Sequence, residues 1–250
     1  MGNRVLIIKT GSSVSAASER FGDFDDWFIN SIGRDRFDFK TVSVQDGESL
    51  PKSLEGLNGV IVTGSPAMVS HRHDWSERAA GWLADAYPTG LPMLGVCYGH
   101  QLIAHALGGT VGPNPNGRRM GSLAVDILDQ EDLLLGGFAP RQYFQATHVE
   151  VVLEPPPKAR VIASGEGDGH HGLYFGKAAW GLQFHPEFDL EIMDCYVRSR
   201  ASVLAGEGIY AEKILKSLRS TPCGPQVLKR FADLVEQSVS HEGNTARAGD

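Results

Sequence analysis

The chain has 250 residues, of which 42% are hydrophobic and 21% charged, a composition that supports one large globular domain or two small ones. Twenty-three Lys and Arg against 30 Asp and Glu leave a formal charge of −7, and no basic run offsets it, which argues against nucleic acid or an anionic membrane as partner. No apolar stretch approaches the roughly 20 residues of a membrane span, and an odd count of 3 cysteines argues against a disulfide framework. The apolar run at residues 5–8 is too short for a secretory signal, so a cytoplasmic location is expected.

Four short apolar runs mark the first hundred residues: 5–8, the alternating segment 37–44, 60–62 and 93–96. Continuous apolar runs bounded by turn residues suit strands covered on both faces. Helical periodicity falls between them. Phe24, Trp27, Phe28 and Ile32 share one face, with Gly33 at the position of a C-terminal cap. Asp74 and Glu77 are spaced as a capping box before the stripe Ala80, Leu83, Ala84 and Tyr87. Strand, helix, strand, helix at this spacing predicts right-handed βαβ units in an open α/β sheet.

The second half is richer in strand patterns. Leu123, Val125 and Ile127 alternate, as do Val149, Val151 and Leu153, and further strands are expected at 161–163 and 180–184. Asp189 is placed to cap a helix running towards Ala205, and helical stretches follow at 211–218 and 227–239 around a Pro/Gly turn that holds Cys223. Leu228, Phe231 and Val235 are expected to face the body of the protein. The expected organisation is one domain over residues 1–205, a helical C-terminal appendix packed on it over 206–240, and a disordered tail over 241–250.

The most informative stretch is residues 92–101. A buried strand ends at Val96 and a helix carrying Leu102, Ile103, Ala106 and Leu107 begins at once, so Cys97 stands on the turn between them with Gly95 and Gly99 two residues to either side. That is the geometry of a nucleophile elbow, with cysteine in place of serine. The helix N-terminus favours the thiolate, and the N–H of Tyr98 points where an oxyanion would form. A cysteine nucleophile needs a base and a group to orient that base. His185 ends an apolar strand, and Glu187 lies two residues on, past Pro186. The roles follow: Cys97 attacks, His185 shuttles the proton, and Glu187 orients the ring.

Gly95-x-Cys97-x-Gly99-x-Gln101 followed by Gln183-Phe184-His185-Pro186-Glu187 resembles the class I (triad) glutamine amidotransferases, most closely the stand-alone glutaminase domains of GMP synthases. The resemblance covers about residues 4–200. It implies a flavodoxin-like open, mostly parallel twisted sheet with helices on both faces. It also implies attack on the side-chain amide of glutamine through a γ-glutamyl thioester, releasing ammonia and then glutamate. By the same resemblance, the loop at 62–66 nominates the Gly64 N–H as second oxyanion donor beside that of Tyr98, and Gln101, Thr147 and His148 are substrate-binding residues. Thr63 replaces a glycine common in the family, and Val149-Glu150 stands where GMP synthases carry Gly-Asp. No phosphate-binding loop of a synthetase is found, so the expected partners are a small-molecule substrate and a separate synthetase.

Two other readings stand beside this one: a γ-glutamyl peptide or amide hydrolase using the same triad, and a non-catalytic regulatory or binding protein. Residues 167–172 match Gly-x-Gly-x-x-Gly, but a strand follows instead of a helix, so a glycine-rich hairpin turn is expected rather than a dinucleotide site. His170-His171 reads as part of a solvated loop. The stretch from His71 to Trp75 follows the oxyanion loop and is placed to rim the pocket. Neither histidine group brings a zinc ligand set, and no metal or cofactor is expected. Cys195 is expected to face the core.

Overall fold

The computed structural model describes residues 3–247, with side chains to residue 238. Strand β1 (Arg4–Lys9) lies between β2 (Asp38–Ser43) and β3 (Leu57–Val62), parallel to both. β3 pairs in parallel with β4 (Met93–Val96). Further along the chain come β5 (Thr110–Pro113), β6 (Arg119–Ile127), β7 (Arg141–His148), β8 (Glu150–Glu154), β9 (Arg160–Gly165), β10 (Asp168–Gly176) and β11 (Ala179–Leu182). β11 returns to the sheet beside β4, again in parallel. The order β2-β1-β3-β4-β11-β10-β9-β6-β7 joins five parallel strands to four antiparallel ones, and β5 pairs with β8 in a separate ribbon.

The apolar runs of β1, β3 and β4 are continuous because both faces of the sheet are covered. On one face Val5, Ile7, Ile61 and Leu94 pack under α2 (Phe24–Ile32) and α8 (Cys223–Arg247). On the other, Leu6, Ile8, Val60 and Val62 pack under α3 (Asp74–Ala86) and α4 (Tyr98–Ala106). A third cluster, formed by α1 (Ser15–Phe21), α5 (Leu190–Ser199), α6 (Ala201–Gly206) and α7 (Ala211–Ser217), joins Phe24, Trp27, Phe188 and Met193, with Cys195 facing inward.

Local signals explain most element ends. Asp23 and Asp26 form a reciprocal capping box on α2, and Asp189 caps α5 by accepting from the Ile192 N–H at 2.8 Å. The capping box expected at Asp74 and Glu77 does not form: α3 starts one residue earlier in register, with His73 as its cap and both acids inside the first turn. There they favour the helix through its dipole. The helix expected from Asp189 to Ala205 is interrupted at Arg200, which separates α5 from α6.

α8 begins at Cys223, ahead of its expected start, because Pro225 falls in the first turn, where a missing N–H costs no intrahelical bond. Val227, Leu228, Phe231 and Val235 enter the same core as β1 and β4. Arg36 holds the helix from outside, pairing with Glu236 at 2.7 Å and with Asp233, while Arg230 donates to the carbonyls of Leu134 and Gly136. Residues 241–247, expected to be disordered, continue α8; extending an existing helix costs far less than starting one. The remainder of that expected tail, 248–250, lies outside the described residues. Among the described residues no helix is long and apolar enough to cross a membrane.

Candidate active site

β4 and β11 deliver the two halves of the site side by side. The Cys97 N–H donates to the Leu182 carbonyl at 2.8 Å, which extends their ladder by one step and sets the cysteine next to the segment that carries His185. Cys97 then turns with φ 53° and ψ −103°, a conformation costly for any residue with a Cβ, and caps α4. The flanking glycines permit the turn. A Cβ on Gly95 would lie 2.3 Å from the Gly99 carbonyl oxygen, and one on Gly99 would lie 2.2 Å from that of Val62. Only bare backbones fit where β3, β4 and α4 converge.

His185 and Glu187 are both buried, and the ring Nδ1 donates to Glu187 Oε1 at 2.7 Å. The ring also interacts with the Cys97 side chain, with which it lines one cavity. Burial alone would push the imidazole towards neutrality, but the charges of Glu187 and Cys97 outweigh it and push the ring up to about 10. The ring is further held by Phe188, stacked on it at 4.1 Å between centroids, and by Phe24 at 6.2 Å. Its backbone N–H donates to the Gln145 carbonyl at 2.7 Å, and the Gln145 side chain donates to the carbonyl of Arg219, between α7 and α8. The C-terminal helices therefore buttress the strand that locates His185.

Cys97 and His185 line a cavity of about 130 Å³ together with Ser65, Tyr98, Gln101, Thr147, His148 and Glu150. The Thr147 carbonyl oxygen lies 3.6 Å from Cys97 Sγ. Gln101 spends its amide protons on the Glu150 carbonyl, at 2.8 Å, and on Gln183 Oε1, at 3.0 Å. Gly64 sits directly against His185: a Cβ there would be 3.0 Å from the ring Cε1. Thr63 is buried beneath it, and its hydroxyl accepts from the Thr10 N–H and donates to the Gly64 carbonyl, which ties this loop to the end of β1. Of the residues singled out by sequence, Cys97, Tyr98, Gln101, Thr147, His148 and His185 line the pocket, and Gly64 and Glu187 adjoin it through the His185 ring.

Other parts of the pocket carry no short-range signal. Arg118, Tyr196 and Arg200 reach it from the residue ahead of β6, from α5 and from the α5–α6 break. Arg118 is held bidentately by Glu207 at 2.7 and 2.8 Å. The Glu150 carboxylate is buried and accepts from the N–H and hydroxyl of Ser70. The segment from His71 to Trp75 does not rim the pocket. His73 stacks on Trp75, which stacks on Tyr98, because this segment turns away to open α3.

The glycine-rich segment does turn a hairpin between β9 and β10, with Gly167 at φ 76°. His170 and His171 are not in a solvated loop, however. They lie within β10, and His171 is fully buried, because β10 is an interior strand of the sheet.

The model of the family described as glutamine amidotransferase class-I matches residues 21–200, more than half of the chain. The chain belongs to this family. It is similar to a glutamine-hydrolyzing GMP synthase subunit of Haloarcula marismortui, 33% identical over 147 residues, covering 58% of this chain and 72% of that one. It is similar to gamma-glutamyl peptidase 5 of Arabidopsis thaliana, 24% identical over 196 residues, covering 76% and 78%. The first curated relatives it matches are GMP synthases of which it spans only 25% and 50%. A solved glutamine amidotransferase from Thermotoga maritima superimposes with a TM-score of 0.74 at 21% identity, covering 93% of this chain and 97% of that one. The open α/β architecture is thus that of class I glutamine amidotransferases, with its antiparallel strands at one side.

Proposed function

We propose that the protein hydrolyses the side-chain amide of glutamine through a Cys97 γ-glutamyl thioester and supplies ammonia to a separate synthetase. The observation that carries this reading is the meeting of a strained elbow cysteine with a buried His185–Glu187 pair bonded at 2.7 Å, inside one cavity. The Cys97 thiolate adds to the amide carbon, and the oxyanion that forms takes the N–H groups of Tyr98 and Gly64. The His185 imidazolium gives its proton to the departing nitrogen, so ammonia leaves and the thioester remains. Water then gives a proton to His185 and adds to the thioester; glutamate departs as the thiolate and imidazolium are restored.

The pocket complements an amino acid's own charges. Glu150 supplies a buried carboxylate for an α-ammonium, and Arg118 and Arg200 supply cations for an α-carboxylate. The name of the Haloarcula relative, which makes it one subunit of a GMP synthase, supports a synthetase on another polypeptide. The division proposed from the sequence, 1–205 and 206–240, leaves every residue of this pocket in the first segment.

γ-Glutamyl peptide hydrolysis is the second reading. It is favoured by the Arabidopsis peptidase, whose similarity extends over more of this chain than that of the Haloarcula protein. The test is glutamate release by the chain from glutamine and from a γ-glutamyl dipeptide, with Cys97→Ala as blank. Cleavage of glutamine in preference to the dipeptide is expected; efficient Cys97-dependent cleavage of the dipeptide alone assigns the hydrolase instead.

The charge state of His185 gives a pH test. A raised pKa means the folded site keeps its proton above the ordinary histidine value of about 6.5 and loses it only as pH rises through about 10. The stabilising interaction is therefore fully present below about 6.5 and lost through about 10. Activity as a function of pH is expected to hold through neutrality and fall on the alkaline side. In Glu187→Gln one of the two charges that raise the ring is gone, so the alkaline limb moves to lower pH and kcat falls by roughly 10²-fold, within the span of general acid–base catalysis. An unshifted limb with a full rate makes Glu187 a purely structural residue.

A further inference from the structure

His148 stands between the pocket and a second polar cluster buried behind it. One ring nitrogen each of His148 and His171 and one carboxylate oxygen of Asp168 lie within 4.8 Å of one another, and all three residues are buried. His148 Nδ1 donates to the Glu150 carbonyl at 3.1 Å, which leaves a lone pair on Nε2. Asp168 Oδ1 accepts from the His170 N–H at 2.9 Å. The remaining atoms, His148 Nε2, Asp168 Oδ2 and both nitrogens of His171, have no hydrogen-bond partner among the described residues. Such atoms are rare in a folded interior and ask for a reason.

We infer that His148, Asp168 and His171 form a binding site for a divalent transition-metal ion of the zinc class. Two neutral imidazoles and a carboxylate are a donor set for such an ion, with a fourth position left for water. The backbone bond at His148 Nδ1 is the kind of outer contact that fixes the tautomer of a ligating histidine. His148 Nε2 and both ring nitrogens of His171 are buried without a hydrogen-bond partner among the described residues, so donor atoms of both rings remain uncommitted.

His171 Nε2 and Asp168 Oδ2 are 3.8 Å apart, beyond a hydrogen bond. Ligand bonds of about 2.0–2.1 Å place tetrahedral donors about 3.3 Å apart, so about half an ångström of closure completes this edge. The ring of His171 is seated by Phe184, stacked at 6.2 Å, and by Gly165, where a Cβ would come within 2.7 Å of it. The positive charge of Arg119 acts on the cluster and opposes a bound cation, although Arg119 also approaches Glu166 at 3.9 Å. A bound ion would join β10 to the end of β7. It would thereby fix the segment whose Thr147 carbonyl meets the Cys97 sulfur.

The experiment titrates Co²⁺ into the chelator-treated full chain, follows ligand-field absorption, and then displaces Co²⁺ with Zn²⁺. The Cys97→Ala chain is titrated in parallel, so that metal held by the thiol and His185 is counted separately. One equivalent with a tetrahedral spectrum is expected in both chains, together with a higher melting temperature on adding Zn²⁺. His171→Gln and Asp168→Asn are each expected to weaken binding at least tenfold, while His71→Ala with His73→Ala leaves it in place. No saturable binding in the native chain overturns the inference without recourse to any variant. So does an equivalent that disappears in Cys97→Ala or persists unchanged in His171→Gln and Asp168→Asn.

Discussion

Replacing Cys97 by alanine is expected to abolish glutamate release while changing folding stability by no more than about 1–2 kcal/mol, because one small side chain is lost from a packed site. The backbone offers a sharper control. Cys97 holds φ 53° and ψ −103°, where any Cβ is strained and glycine is not. Cys97→Gly is therefore expected to be as inactive as Cys97→Ala but more stable than it by about 1 kcal/mol, the lower end of the strain stored in such conformations. Activity assays and chemical denaturation of the two variants check both halves. Activity retained in either one removes Cys97 as nucleophile; equal stability means that the elbow stores no strain.

The second large effect is on the scaffold. Gly99→Ala places a methyl group 2.2 Å from the Val62 carbonyl oxygen, a backbone atom that cannot rotate away. The Gly99 N–H also donates to the Thr63 carbonyl at 3.1 Å, so α4 and the Gly64 loop must separate together. Overpacking of this kind costs about 1–3 kcal/mol and more where backbone must yield, so a loss of about 3 kcal/mol or greater is expected, with activity lost even in the folded fraction. Gly81→Ala, on the exposed face of α3 with nothing within 4 Å, is the comparison and is expected to stabilise by up to about 1 kcal/mol through helix propensity. A Gly99→Ala protein as stable as the native one contradicts the convergence of β3, β4 and α4 described above.

How much of this was legible in the sequence depended on how far each residue's partners lie along the chain. β1, β3 and β4 were legible because burial on both faces leaves an uninterrupted apolar run, and α2 because its stripe and Gly33 cap are local. β7 was not: Arg141-Gln142-Tyr143-Phe144-Gln145 mixes polar and apolar residues without clean alternation, and the strand forms because β6 offers it a full antiparallel register at the sheet's edge. α1 was missed for a similar reason, since only Ala17 is buried along it. In the site, Cys97 and His185 announced themselves through glycines and a proline that shape their own turns. Arg118, Arg200 and Tyr196 reach the pocket through tertiary packing alone. His171 misled because adjacent histidines in a glycine-rich stretch read as loop, whereas the hairpin turn ends before them and β10 carries His171 into the interior.

The central claim is that Cys97 attacks the γ-carbonyl of a glutamine-like substrate with His185 as its proton partner. The most direct test is to incubate the chain with a glutamine analogue bearing an electrophilic ketone at the amide position and to map the adduct by peptide mass spectrometry. A single stoichiometric adduct on Cys97, suppressed by excess glutamine and slowed in His185→Ala, is the expected result. An unlabelled Cys97, or labelling spread equally over Cys97, Cys195 and Cys223, would contradict it.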